Sequence, residues 1–466
     1  MRTRALILLT LLVSTSTGLS QQRLAPQRDE LLVAAHYYPW YTPARWDYVE
    51  CATGTLRGEL VPAQPAVLGA YDSSDPQVVD QHIRWSSEHG VNVWILEFIA
   101  PNDFVDQNIR NVILTHPRIS DLKLSVLYDT AIRFGGDFNV TDQKIQTMVQ
   151  DFDHLATHYF PHQSFLKVLG CRPVVLVYVT RALTGKVQAM IDQLRASVSA
   201  KGFDLFLVGD EFFFISPPSQ SRIARFDAIF GYDVYASFGG YAAESGYLTL
   251  FRNRTQQYRA TAQSLGVRFI PSCAPCFNDR AIRRVCTDHP ALPPRISADA
   301  DPISLFRETF GKTALENVDP ELSMISITSF NEWHEDTQIE PTIAAAGTSQ
   351  DTSGSGNAYT QGFVYDGTGL AYLEEIRRKV IAISGEVTDE ATGEPIPGAV
   401  IEVRRGNVLF ARREGFTTGK YVVPRPAVPA DTYTVVARAP GYRPAKTSVV
   451  VTEDETTLHV DLSLAK

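Results

Sequence analysis

Met324-Ile-Ser-Ile-Thr-Ser-Phe-Asn-Glu-Trp-His-Glu-Asp-Thr-Gln-Ile-Glu-Pro341 opens as an apolar, β-prone run and ends in a cluster of polar and acidic side chains. The change falls between Phe330 and Asn331. It reads as a buried strand delivering Asn331, Glu332, His334, Glu335, Asp336 and Glu340 at its C-terminal end. Glu332 and Glu335 stand three apart, so a helical turn after the strand lets both carboxylates converge on one bound group. Paired carboxylates are the usual equipment for cleaving glycosidic bonds. An isolated Glu-x-x-Glu is more commonly a solvated loop. Here Phe330, Asn331 and Trp333 flank it, and aromatic faces and amides are what a sugar site sets beside its acids.

Working outward, the run at 324–330 has seven counterparts, at 32–38, 91–98, 122–128, 173–179, 205–209, 228–232 and 267–272. Amphipathic stretches at 76–89, 141–157, 186–201, 250–265 and 303–315 lie between several of them and read as helices. Asp75-Pro76 is a helix start, a capping side chain before a proline at the first helical position. Near-continuous apolar strands with helical crossovers predict a parallel sheet covered on both faces. The count of eight makes a (β/α)8 TIM barrel the expected closure, with a doubly wound open sheet as the alternative. Polar or aromatic residues recur where the strands end: His36, Tyr37, Tyr38 and Trp40, then Glu97, Tyr128-Asp129, Asp210-Glu211, Tyr232, Asp233 and Tyr235, and finally Glu332 and Glu335. In a barrel all of these meet at one rim, where active sites are built.

Residues 342–369, rich in Gly, Ser, Thr and Ala, read as a flexible rim loop before a last helix at 370–381. At about Ser384 the pattern changes to short alternating strands broken by Gly and Pro turns, the signature of a small all-β sandwich. The expected organisation is a leader at 1–20, an α/β barrel at 21–383 and the sandwich at 384–466.

The 466 residues carry a formal charge of −9, which argues against a nucleic-acid partner. Arg2 and Arg4 precede the apolar run at 5–13, followed by small residues to Ser20. This is the order of a secretory signal peptide, with cleavage expected after Ser20. No later stretch reads as transmembrane, so a secreted or periplasmic protein is expected. Cys51, Cys171, Cys273, Cys276 and Cys286 are an odd number for an oxidising compartment. The Cys273-x-x-Cys276 spacing suits a metal or redox site, but no second pair or nearby His completes a zinc set. A Cys276–Cys286 or Cys273–Cys286 disulfide is expected, with buried free thiols as the alternative.

Ser329-Phe-Asn-Glu-Trp-His-Glu-Asp-Thr-Gln-Ile-Glu-Pro341 resembles the signature of glycoside hydrolase family 99, the endo-α-mannosidases and endo-α-mannanases, where Gly usually stands in place of Asp336. His36-Tyr-Tyr-Pro-Trp-Tyr41 resembles the family's first-strand motif, and Tyr71-Asp-Ser-Ser-Asp-Pro76 its next loop. Phe226-Asp-Ala-Ile-Phe-Gly-Tyr232 resembles its sixth strand, and Ile270-Pro-Ser272 with Asp279-Arg-Ala-Ile-Arg283 its seventh and the following loop. The resemblance implies a (β/α)8 barrel and a retaining, endo-acting hydrolase of α-mannosides in mannan or high-mannose glycans. It places the catalytic glutamates at Glu332 and Glu335. In the family's mechanism the first deprotonates the substrate's own 2-hydroxyl, which closes a 1,2-anhydro sugar; the second protonates the leaving oxygen and then activates water. Glu335 must therefore hold a proton near neutrality, raised by Trp333 or by the charge of Glu332. His36, Tyr38, Trp40, Tyr232, Asn331, Trp333 and His334 are expected around the sugar. No cofactor and no metal are implied, since His334-Glu-x-x-Gln338 is not His-Glu-x-x-His. After the second strand, where many members carry a Trp-rich segment, this chain reads Glu97-Phe-Ile-Ala-Pro-Asn102. A different sugar pocket follows from that, so a hydrolase of another α-linked polysaccharide and a non-catalytic glycan-binding protein are the competing readings. Gly385 to Gly398 and Ala439-Pro-Gly-Tyr442 resemble the carboxypeptidase regulatory-like, transthyretin-like modules of secreted proteins.

Overall fold

β-Branched and aromatic runs that are buried on both faces can only be strands inside a covered sheet. The computed structural model, which describes residues 31–46, 54–236, 238–283 and 289–466, contains that sheet. Its strands are β1 (Leu32–Tyr37), β2 (Val93–Phe98), β3 (Lys123–Tyr128), β4 (Arg172–Val177), β5 (Phe206–Asp210), β6 (Ala228–Phe230), β7 (Arg268–Phe269), β8 (Ser272–Cys273) and β9 (Met324–Ile327). Neighbours pair in parallel in the order β7-β6-β5-β4-β3-β2-β1-β9-β8. The path begins and ends on one stretch of chain, because β7 and β8 are the two halves of the single run expected at 267–272. Pro271 lies between them and has no N–H to donate. Its carbonyl accepts from Ser326 N at 3.0 Å, while Ile270 N donates back to Ile229 O at 2.8 Å. The chain thus changes partner at the proline and closes the barrel, which excludes the open sheet.

Helices pack outside. The first, α1 (Pro76–His89), starts at Asp75, whose side chain accepts from Gln77 N at 2.8 Å. It ends at Gly90, where φ of 89° and the 2.6 Å approach a Cβ would make to Val380 both require glycine. It buries Val78, Val79, His82 and Ile83 against the sheet. Four more long segments follow: α2 (Asp142–His158), α3 (Val187–Ala200), α4 (Tyr247–Ser264) and α5 (Ala371–Val380). Tyr37 stacks on Trp94 at 4.1 Å between ring centroids, one of several aromatic pairs filling the barrel wall. Among the described residues no helix is long and apolar enough to cross a membrane.

The segment at 342–369 is firmer than its composition predicts. Short strands Ala345–Thr348 and Tyr365–Gly367 pair antiparallel, and Asp351 collects the backbone N–H groups of Ser353, Tyr359 and Thr360. Local capping by one carboxylate adds to an apolar anchor, in which Tyr359, Phe363 and Tyr365 pack with Leu56 and Leu60.

A strand, β10 (Ile381–Asp389), follows directly on α5. With β11 (Val400–Arg405), β12 (Val408–Glu414), β13 (Lys420–Pro424), β14 (Asp431–Arg438), β15 (Ala445–Val451), β16 (Leu458–His459) and β17 (Leu462–Leu464) it forms two four-stranded sheets around a separate apolar core. This sandwich rests on the N-terminal end of the barrel. Thr417 donates to Asp121 just before β3, Arg118 donates to Thr417, and Lys420 pairs with Glu88 near the end of α1.

Cys273 and Cys276 are free, buried thiols, so the expected disulfides to Cys286 do not form. Cys276 Sγ instead donates to the backbone oxygen of Asp336 at 2.7 Å, and its thiol is pushed up by burial. Cys51, Cys286 and the expected leader at 1–20 lie outside the described residues.

Candidate active site

After β9 the chain folds into a knot that aims two carboxyl groups into the barrel mouth. Ser329 N donates to Thr337 O at 2.7 Å, Ile339 N returns to Ser329 O at 3.0 Å, and Glu340 N reaches Phe330 O at 2.8 Å. Ser329 Oγ accepts from Glu332 N, fixing the first acid's backbone. The Asn331 amide clamps both backbone groups of Tyr38, at 2.7 and 3.1 Å, and so ties this turn to the end of β1. Behind it, buried Glu340 accepts from Trp333 Nε1 at 2.7 Å and Tyr71 Oη at 2.8 Å, and contacts His82 Nε2 at 3.0 Å.

The two glutamates meet different surroundings. Glu332 Oε1 accepts from His334 N at 3.0 Å and Tyr41 Oη at 3.4 Å, while its buried Oε2 has no hydrogen-bond partner among the described residues. Glu335 accepts from Tyr235 Oη at 2.9 Å and from Arg283 at 2.8 Å. Burial pushes the Glu335 carboxyl up to about 7, against the pull of Arg283 and with help from the negative charge of Glu332. Opposed environments of this kind separate an acid from a base.

Both acids line a cavity of about 460 Å3, within the range of small-ligand sites. Its walls come from strand ends around the barrel: Tyr38 and Trp40 after β1, Glu97 on β2, Leu127 and Asp129 at β3, Tyr178 after β4 and Tyr232 after β6. Arg283 and Ile282 arrive from the loop after β8, and Arg45 stacks over Trp40 at 4.5 Å. Tyr38 and Tyr232 are joined through their hydroxyls.

Of the residues expected around a sugar, Tyr38, Trp40, Tyr232 and His334 line the cavity. His36, Asn331 and Trp333 lie behind its wall. His36 bonds Ser326 Oγ at 3.0 Å and stacks on Phe230, and burial lowers its pKa to about 3, so it is a neutral structural imidazole. Trp333 is fully buried, so it offers no platform to a ligand. Sequence reasoning did not pick out Tyr41, Tyr178, Arg45 or Arg283. Arg283 had a signal, since it closes the Asp279-to-Arg283 motif, but only the fold shows that it meets Glu335.

The sequence model of glycosyl hydrolase family 99 matches residues 32–352, well over half the chain. The chain belongs to glycosyl hydrolase family 99. Residues 382–465 match the carboxypeptidase regulatory-like domain. The rat glycoprotein endo-α-1,2-mannosidase is 26% identical over 59% of this chain and 56% of its own length. The human glycoprotein endo-α-1,2-mannosidase-like protein is 25% identical over 66% of this chain and 68% of its own. The chain thus spans little more than half the length of the rat relative. The solved family 99 endo-α-mannosidase of Bacteroides thetaiotaomicron shares the fold, with a TM-score of 0.54 at 20% identity over 75% of this chain and 96% of that one.

Within family 99 the departure at Asp336 has a structural account. Its φ is 53°, the left-handed region that favours glycine. Asp336 is held there by a buried ion pair, with Arg57 Nε at 2.5 Å and Arg57 Nη2 at 3.3 Å from its carboxylate. Among the described residues no group of three or more His, Cys, Asp or Glu is arranged to hold a metal ion.

Proposed function

We propose that this family 99 protein is an exported, retaining endo-acting hydrolase of α-mannosidic linkages, with Glu332 as base and Glu335 as acid. One observation carries the reading. A single cavity holds Glu332 with one unpartnered carboxylate oxygen and Glu335 as an acid that keeps its proton to near neutrality.

Glu332 Oε2 takes the proton of the sugar's 2-hydroxyl, and that oxygen attacks C1 to close a 1,2-anhydro ring. The bond from C1 to the leaving oxygen breaks as Glu335 donates its proton to that oxygen. Glu335, now a carboxylate, takes a proton from water, which attacks C1 and opens the ring. Glu332 returns its proton to O2. Atoms and charges balance, and two inversions at C1 give net retention. Tyr235 and Arg283 stabilise Glu335 during the interval when it is ionised. Trp40, Tyr38 and Tyr232 supply faces on which sugar rings stack. The basic and apolar leader sequence supports export, and N-terminal sequencing of the mature protein should begin near Gln21.

The test is incubation with α-mannans and high-mannose oligosaccharides, with products sized and their anomeric configuration followed by NMR. Oligosaccharides released with retained configuration are expected. Glu332→Gln should lower the rate on the order of 100- to 10,000-fold, the range of a positioned acid or base. A substrate lacking the 2-hydroxyl should be inert. A glycosyl ester trapped on Glu332 by a 2-fluoro sugar would overturn the anhydro route. A second reading, hydrolysis of another α-linked polysaccharide, draws on the carboxyl-lined wall at Glu97, and a panel of α-glucans separates the two.

A further inference from the structure

The wall formed by β2 and β3 is chemically unlike the rest of the cavity. Glu97 and Asp129 stand at the C-terminal ends of these neighbouring strands and both line the cavity. Glu97 is 2% exposed, yet its Oε1 accepts no hydrogen bond from any described residue. Beside it stands Asp129, whose carboxylate caps the turn by accepting from Ile132 N at 2.8 Å. Other buried acids of the barrel are met by cations: Asp106 by Arg110 and His154, Asp151 by Arg133, Asp210 by Arg181. Among the described residues no Lys, Arg or His pairs with Glu97 or Asp129. Burial and the neighbouring Asp129 push the Glu97 carboxyl well above its ordinary range.

An enclosed acceptor without a donor is costly unless something supplies the donor. The side open to supply it is the cavity. We propose that Glu97 and Asp129 form a subsite that binds a hydroxyl of a neutral sugar ring, and that Glu97 determines which sugar the cavity accepts. The inference rests on the glycosidase reading above.

A neutral ligand fits the charges. Arg283, on the lining, is already paired with Glu335, and burial raises the Glu335 and Glu97 carboxyls above their ordinary range. No aromatic face is available on this wall. Phe98, the next residue along β2, is fully buried against Tyr128 and Tyr159. Selection here therefore works through hydrogen bonding, which rejects a ligand lacking the matching hydroxyl far more sharply than an apolar wall does.

The experiment compares wild type, Glu97→Gln and Glu97→Leu on an α-manno-oligosaccharide and on its monodeoxy analogues. Thermal melts confirm that each variant folds. Wild type should prefer the parent over one deoxy analogue by on the order of 10,000-fold in kcat/KM. Glu97→Gln, which keeps both donor and acceptor, should retain that preference, and Glu97→Leu should abolish it. Equal discrimination by folded Glu97→Leu and wild type overturns the proposal, as does a uniform loss on parent and every analogue. If wild type turns over no α-mannoside, the glycosidase reading fails separately. Calorimetry with neutral manno- and gluco-oligosaccharides and with chitosan oligosaccharides then reads the subsite. Weaker binding of neutral sugars to Glu97→Leu alone supports it. Unchanged binding, or tighter binding of the amino sugars to wild type, overturns it.

Discussion

Arg283 sets how readily Glu335 keeps its proton. It donates to Glu335 at 2.8 Å and opposes the upward push of burial and of Glu332. Arg283→Leu removes the cation that favours the ionised form, so the pKa of Glu335 rises further above about 7. An acid works while protonated, so the alkaline limb of the kcat/KM profile should move to higher pH in this variant, by about one unit or more. A limb that stays fixed or moves down would assign it to another group. At this scale the sequence was informative about chemistry and poor about facing. That Glu332 and Glu335 meet in one cavity was legible because a strand end and a three-residue spacing are local facts. Asn331 and Trp333 look equally functional in one dimension, but the knot turns them inward, to Tyr38 and Glu340. Nothing local says which way a side chain points once the chain leaves a regular strand. Tyr235 and Arg283 come to Glu335 from other strands' loops, a coincidence only the closed barrel creates.

The turn after β9 is held from outside by Arg57, an element-scale contact between two loops distant in sequence. The guanidinium is enclosed, with Asp336 on one side, Gln64 Oε1 at 2.8 Å and Asp366 O at 2.9 Å on the other. Removing one member of a buried pair strands the other charge, at a cost of about 3–5 kcal/mol. Arg57→Leu should therefore lower the melting temperature sharply. The double variant Arg57→Leu/Asp336→Gly should recover much of the loss, because it removes the stranded carboxylate and puts glycine at φ of 53°. No recovery would mean that the pair's contacts to Gln64 and Asp366 matter more than its charge. Elements themselves were largely legible. The helix at 76–89 announces itself by Asp75-Pro76, and the apolar runs give the strands. The split of the seventh strand was missed although its cause, Pro271, is in the sequence. Proline removes a ladder bond locally, but whether that breaks a strand or lets it switch partners depends on what lies on either side. The Gly- and Ser-rich segment at 342–369 was misjudged for a related reason, since composition does not reveal that Asp351 gathers its loose backbone.

At the scale of the whole molecule, the sandwich and the active site sit at opposite ends of the barrel. The cavity with Glu332 and Glu335 lies at the C-terminal ends of the strands, while Thr417, Lys420, Phe416 and Val422 of the sandwich meet Asp121, Glu88, Gly90 and Asn92 at or near the N-terminal ends. The sandwich has its own apolar core, around Val387, Ile401, Val403, Tyr433 and Val435. A second domain with its own core and a distant footing can be removed without touching the chemistry. The footing is not neutral, however. Val422 packs against the barrel's core, and Phe416, Val422 and Pro424 line one crevice with Leu31, Gly90 and Val380 of the barrel. Lys420–Glu88 is partly exposed and is worth at most about 1 kcal/mol. Loss of the apolar contacts should outweigh it. Deleting 384–466 should accordingly leave kcat/KM on a short soluble oligosaccharide within a few-fold of the full chain, since domain cores are independent. The melting temperature should fall by several degrees, as newly exposed apolar surface at the barrel's N-terminal end goes unburied. Activity and thermal melts on the same preparation separate the two effects. A truncated chain that melts cooperatively but turns over nothing would place the sandwich in the catalytic machinery, against the geometry. One that keeps both activity and melting temperature would show that the interface contributes no stability.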